Sequence, residues 1–162
     1  MLNFFKQCLA ALCIGTILVL LTTVAEAQTS AGPDGLVRVR SAYPVDETVV
    51  RLRQDIAAKG IMLFDDVDQA KLAAGAGIAL RPQRLIVFGN PPLGAQFLTS
   101  NPYSGLDWPV RVLVVEEADG SVWVAWNDFA AIARRHGITD RDQQFAMATS
   151  VVESIASAVR SK

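Results

Sequence analysis

Near the C-terminus, Phe145, Ala148, Val152, Ile155 and Val159 recur at spacings of 3, 4, 3 and 4. That period draws one apolar stripe along a helix face. A stripe of this length must lie on a second apolar layer, so it rules out a chain of isolated helices and demands a sheet or another helix beneath it. The remaining sequence offers strands. Val37 and Val39 alternate with Arg38 and Arg40, the period-2 pattern of a strand with one wet face. Arg84–Phe88 reads as a buried strand ended by the breaker cluster Gly89-Asn90-Pro91-Pro92. Val110–Val115 and Val122–Trp126 flank Asp119-Gly120 and predict a hairpin with a loop over about Glu117 to Ser121. In the first of these two runs Val110, Val112 and Val114 alternate with Arg111, Leu113 and Val115. Both faces are largely apolar, as expected of a central strand.

Between the strands lie helix signals. Asp46 is a predicted cap for a helix through about Lys59, with Val49, Leu52 and Ile56 on one face and Gly60 as its stop. Ile61–Phe64 reads as a short strand. Asp68 is placed to cap a small Ala-rich helix ending at Gly75 or Gly77, and Leu93–Ser100 predicts another short helix. Asp128 starts a helix to Arg135 closed by Gly137, and Asp140 with Gln143 suggests an imperfect capping box for the last helix. The sum is an α+β fold: a two-layer sandwich with one mostly antiparallel or mixed sheet of about five strands and helices on one face.

The first residues carry a different signal. Met1–Lys6 is a short basic start, Cys8–Leu21 is an apolar run, and Ala25-Glu26-Ala27 is a small-x-small cleavage box. The expected organisation is a signal peptide over 1–27, a flexible leader over 28–35 and a single globular domain over 36–162. The apolar run is shorter than the roughly 20 residues of a spanning helix, so no membrane span is expected after cleavage. Export to the periplasm or medium follows. Both cysteines lie inside this segment, so the mature chain is expected to have no disulfide, thiol nucleophile or thiolate metal site. Fifteen Lys+Arg against sixteen Asp+Glu leave a formal charge of −1, without the basic footprint of a nucleic-acid binder.

Arg81-Pro82, Phe88-Gly89-Asn90-Pro91, Leu106-Asp107-Trp108-Pro109-Val110 and Trp126-Asn127 occur in that order at domain-scale spacing. Together they resemble the "domain of unknown function 302" family of bacterial and archaeal proteins, over roughly Val39 to Val159. The resemblance implies a compact α/β fold and a dimer, and brings no established activity, cofactor or substrate. Many members look to carry Asp-His where this chain has Asp68-Gln69, so a family role resting on that histidine lacks its residue here.

Arg81, Gly89, Asn90, Asp107 and Asn127 are the candidate ligand contacts. The Gly89–Pro92 turn follows a buried strand, where crevices of α/β proteins lie, although Pro91 and Pro92 have no N–H for a phosphate. As a plain alternative, the same turn simply fixes the fold. Asp107 is either an acid ion-paired to Arg81 or Arg84 or, in a cleft, a general base with Asp68 as a second carboxylate. Asp65, Asp66 and Asp68 lack the loop continuation of a calcium site and read as a helix cap with solvated neighbours. His136, the only histidine, is explained by its place at a helix C-terminus, and one histidine without cysteine predicts no transition-metal centre and no cofactor. Trp123 and Trp126 fall on opposite sheet faces, one toward the core and one outward as a possible contact surface. The expected function is a non-catalytic module binding a small molecule or an envelope protein, as a homodimer. The alternatives are a carboxylate-dependent enzyme and a structural or stress-related envelope protein without ligand.

Overall fold

A computed structural model describes residues 31–160; the expected signal peptide lies outside these residues. Of the expected leader, residues 31–35 fold as a turn, with Gly32 N–H bonded to the Leu36 carbonyl and Asp34 accepting from the Leu36 N–H. The chain then runs through β1 (Leu36–Arg40), α1 (Val45–Ala58), β2 (Met62–Asp68), α2 (Gln69–Gly75), β3 (Gln83–Gly89) and α3 (Pro91–Ser100). A short 3-10 segment, Pro102–Leu106, leads into β4 (Val110–Glu116), β5 (Val122–Asn127), α4 (Phe129–His136) and α5 (Asp142–Ser157). The five strands form one sheet in the order β1-β5-β4-β3-β2, antiparallel throughout. This is the expected α+β architecture, and β4 is its central strand.

Alternation along the strands builds the core. Val37, Val39, Ile86, Phe88, Val112, Val114, Val124 and Trp126 turn to one face and are almost wholly buried. Against them pack Val49, Leu52 and Ile56 of α1 and the whole predicted stripe of the C-terminal helix, from Phe145 to Val159. Each such side chain contributes about 1.5–3 kcal/mol by leaving water. The opposite sheet face carries Trp123, Leu113, Leu85 and Val87, all only partly buried. Trp126 is therefore the core tryptophan and Trp123 the outward one, its Nε1–H donating to the Ser121 hydroxyl.

Three local readings are corrected. The residue before α1 is Pro44, with no side-chain cap, and Asp46 sits inside the first turn. Pro44 fits there because its missing N–H is not needed at a helix start. Residue 141, not Asp140, precedes α5; Asp140 instead accepts from the Ser100 hydroxyl and pairs with Arg141. Finally, β2 is longer than the apolar run Ile61–Phe64 and continues through the acidic stretch. It does so because Asp66 is not solvated: Arg84 of β3 donates to it twice, at 2.9 and 2.7 Å, and Arg53 adds a third bond. A bulge between Leu63 and Asp65 carries Phe64 outward.

Candidate functional site

The residues Asn101–Pro109 connect α3 to β4 and carry Asp107, the centre of a buried polar cluster. Asn101 caps the 3-10 segment through the Tyr103 N–H and donates to the His136 carbonyl, tying this connection to the end of α4. Asp107 follows the segment, and its side chain is 4% exposed. One oxygen accepts from Arg135 Nη1 at 3.0 Å and from Asn127 Nδ2 at 3.4 Å. The other lies 2.6 Å from His136 Nε2 and 3.1 Å from the same Arg135 nitrogen. Arg111 stands further off, at 3.9 Å. One carboxylate thus gathers groups from β4, the end of β5 and the last turn of α4.

The partners differ from those expected. Arg81 pairs loosely with Glu116 and Arg84 with Asp66, so neither reaches Asp107. His136 does close α4, but it also faces a buried carboxylate. Asp68 caps α2 through the Lys71 N–H at 2.8 Å. It pairs with Arg84 opposite Val114, and so lies toward the far end of the sheet from Asp107. The two carboxylates cannot act on one substrate. Next to Asp107 the free space is about 10 Å³, bounded by Arg111, Trp126 and Asn127. That holds about one water molecule and no organic substrate.

The roomy space is elsewhere. Pro91 and Pro92 start α3, with the Asn90 side chain accepting from the Leu93 N–H. Phe97 anchors the helix in the core by stacking on Trp108 at 4.3 Å and meeting Phe145 at 4.5 Å; Trp108 in turn stacks on Phe129 at 5.5 Å. This aromatic column leaves a groove of about 700 Å³ between α3 and α5. Its apolar lining includes Phe88, Leu93, Trp108, Met147 and Val151, while Asn90, Gln96, Gln143 and Gln144 contribute amides. Gln144 Nε2 donates to the Gln96 side-chain oxygen at 3.0 Å across the groove. Of the five candidate contacts, Gly89 and Asn90 line this groove. Asp107 and Asn127 stand together in the polar cluster, and Arg81 belongs to neither place.

The wall contributed by α5 was not anticipated. A signal for it exists: Gln144, Met147, Val151 and Ser154 repeat at 3, 4, 3 spacing, one position behind the buried stripe. Two buried polar atoms, Ser104 Oγ and Trp108 Nε1, have no hydrogen-bond partner, and both belong to the connection that carries Asp107. Among the described residues no cluster of metal-ligating side chains occurs and no helix is long and apolar enough to cross a membrane.

Comparison with known proteins adds the following. The model of the family described as "Domain of unknown function DUF302" matches residues 37–161. Among solved structures, the uncharacterized conserved protein DUF302 from Bacillus stearothermophilus superposes with a TM-score of 0.71 at 16% identity, over 78% of this chain and 98% of that one. That likeness concerns the fold. Two curated relatives are named fluoride-specific ion channel FluC 1. The one from Brucella suis biovar 1 (strain 1330) is 39% identical over 104 residues, 64% of this chain and 41% of its own. The one from Brucella abortus biovar 1 (strain 9-941) is 39% identical over 104 residues, 38% of its own length. The chain thus spans about two fifths of these relatives.

Proposed function

The chain belongs to the family described as domain of unknown function DUF302, and we propose that it is an exported, non-catalytic binding module whose ligand seat is the groove between α3 and α5. The observation that carries the reading is the groove itself. Its volume of about 700 Å³ falls within the roughly 300–1,000 Å³ of small-molecule sites, and it combines an apolar floor with a few convergent amides. Gly89, the last residue of β3, and Asn90 after it are part of its lining. On the outer sheet face the partly buried patch of Trp123, Leu113, Leu85 and Val87, rimmed by Arg38, Arg40 and Arg111, supports a homodimer, because a second copy laid on the patch would cover it. The relatives named as fluoride-specific channels support an envelope location: the matched part is a minor share of each, and we read it as a domain carried beside a membrane part.

Native mass spectrometry of the protein purified from its own host tests this reading. The expected species is a dimer of chains beginning at Gln28 that releases a small molecule on activation. A bare monomer beginning at Met1 would refute export, association and ligand together. A second reading, a carboxylate-dependent enzyme, is favoured by one observation, the 2.6 Å contact of His136 Nε2 with Asp107. The water-sized space beside that pair argues instead that it holds elements together. Once a turnover is found, His136→Gln decides: unchanged turnover excludes this pair from the chemistry.

A further inference from the structure

Helix α3 has a cavity on each side. The groove described above meets its Pro92, Leu93 and Gln96 side, and a second cavity of about 310 Å³ meets its Pro91, Ala95 and Leu98 side, where Phe64 and Pro109 complete the wall. The two share Gly89, Asn90, Gly94 and Trp108. Gly94 is the notable member. It lies within α3, and glycine is among the poorest helix formers. Its backbone is not left-handed, and a Cβ built on it would meet nothing within 4 Å. Neither of the usual internal reasons for a glycine, a positive φ or close packing within the chain, applies. Gly94 thus leaves open the space where the two cavities meet.

The lining says what that is. Of the residues around both cavities Lys59 alone carries a charge, and no carboxylate faces either space. Lys59 already pairs with Asp55, yet its side chain is about one third exposed and its ammonium has three donors. Phe64, Phe88, Leu93, Leu98 and Trp108 make the walls apolar. Such a space takes an extended apolar body with at most one negative end. Resting on the reading of the groove as a ligand seat, we propose that the two cavities are one passage beneath the start of α3 and that it binds a long-chain fatty acid. The carboxylate sits toward Lys59, and the acyl tail crosses at Gly94 into the second cavity.

Palmitate and octanoate, titrated into the purified protein by calorimetry, test this. Octanoate fits the larger cavity alone, so only palmitate uses the crossing. The expected result is palmitate bound more tightly than octanoate in the wild type. Gly94→Leu then weakens palmitate by about tenfold or more and octanoate, which does not need the crossing, by much less. Gly94→Ala raises the unfolding midpoint, because alanine is the better helix former, while reducing palmitate affinity; it keeps the test open should Gly94→Leu fold poorly. Lys59→Gln weakens palmitate more than hexadecanol, which lacks the charge. Equal binding of both acids with no effect of either Gly94 variant overturns the passage but leaves the groove reading standing. Binding of neither acid overturns the fatty-acid assignment, and failure of an apolar fluorescent probe to enter the groove as well would sink the groove reading with it.

Discussion

Replacing Asp107 by alanine measures what the polar cluster does. The carboxylate is nearly sealed, at 4% side-chain exposure, and so is the His136 ring, at 7%. Arg135 and Arg111 are not; their side chains are 56% and 43% exposed. When the carboxylate is removed, both arginines turn to water at little cost, since exposed ion pairs are worth only about 0–1 kcal/mol. The buried imidazole nitrogen has no such recourse and loses its partner at 2.6 Å, a penalty of about 1–3 kcal/mol for an unsatisfied buried group. The expected loss for Asp107→Ala is therefore about 2–3 kcal/mol, below the roughly 3–5 kcal/mol of a fully sealed ion pair. Asp107→Asn keeps the shape and one acceptor and costs about half as much. Arg135→Ala leaves the carboxylate His136, Asn127 and the nearby Arg111, and costs about 1–2 kcal/mol, less than Asp107→Ala. Urea unfolding with unchanged slope is the assay. If Arg135→Ala proved as damaging as Asp107→Ala, the weight would lie on the arginine and the assignment to the buried histidine would be wrong.

Two further outcomes are expected. Gly137 closes α4 at φ +59 with open space around a would-be Cβ, so Gly137→Ala is costly through backbone conformation alone, by about 1 kcal/mol in thermal unfolding. It moves stability in the opposite direction from Gly94→Ala, although both replace a glycine at a helix. The Asp119 carboxyl is held below its ordinary range chiefly by the Ser121 hydroxyl and then by the Ser121 backbone N–H. A folded value lowered in this way stabilises the fold above the unfolded value, and that contribution is lost as pH falls through the folded one. Ser121→Ala should thus bring the Asp119 titration, followed by NMR, back up toward the ordinary range. The gap in stability between wild type and variant should narrow in acid; a gap that widens there would contradict the assignment.

What could be read in the chain was local. The α5 stripe, the hairpin at Asp119-Gly120, the Asp68 and Asp128 caps and the Gly137 stop all involve residues within a turn or two of one another, and their chemistry is complete at that range. The acidic β2 was misjudged because its compensation comes from Arg84, 18 residues away on the next strand. Asp107 stands out in the sequence, but Arg81 and Arg84 pair with Glu116 and Asp66 instead. Its partners are Arg135 and His136, 28 and 29 residues later, brought back by the turn of α4 after β5. The groove depends on α3 and α5 lying side by side, which no spacing within either helix states.

The sheet ends in two borders of opposite character. β1 places Arg38 and Arg40 along one border, while β2 places Asp65 and Asp68 along the other. Copies meeting border to border with like charges repel, whereas a first border meeting a second would attract and could in principle extend without limit. The interruption at Phe64 breaks the ladder on the acidic side. A straight incoming strand therefore finds its register spoiled midway, one of the ways in which an edge strand is kept from adding a second copy.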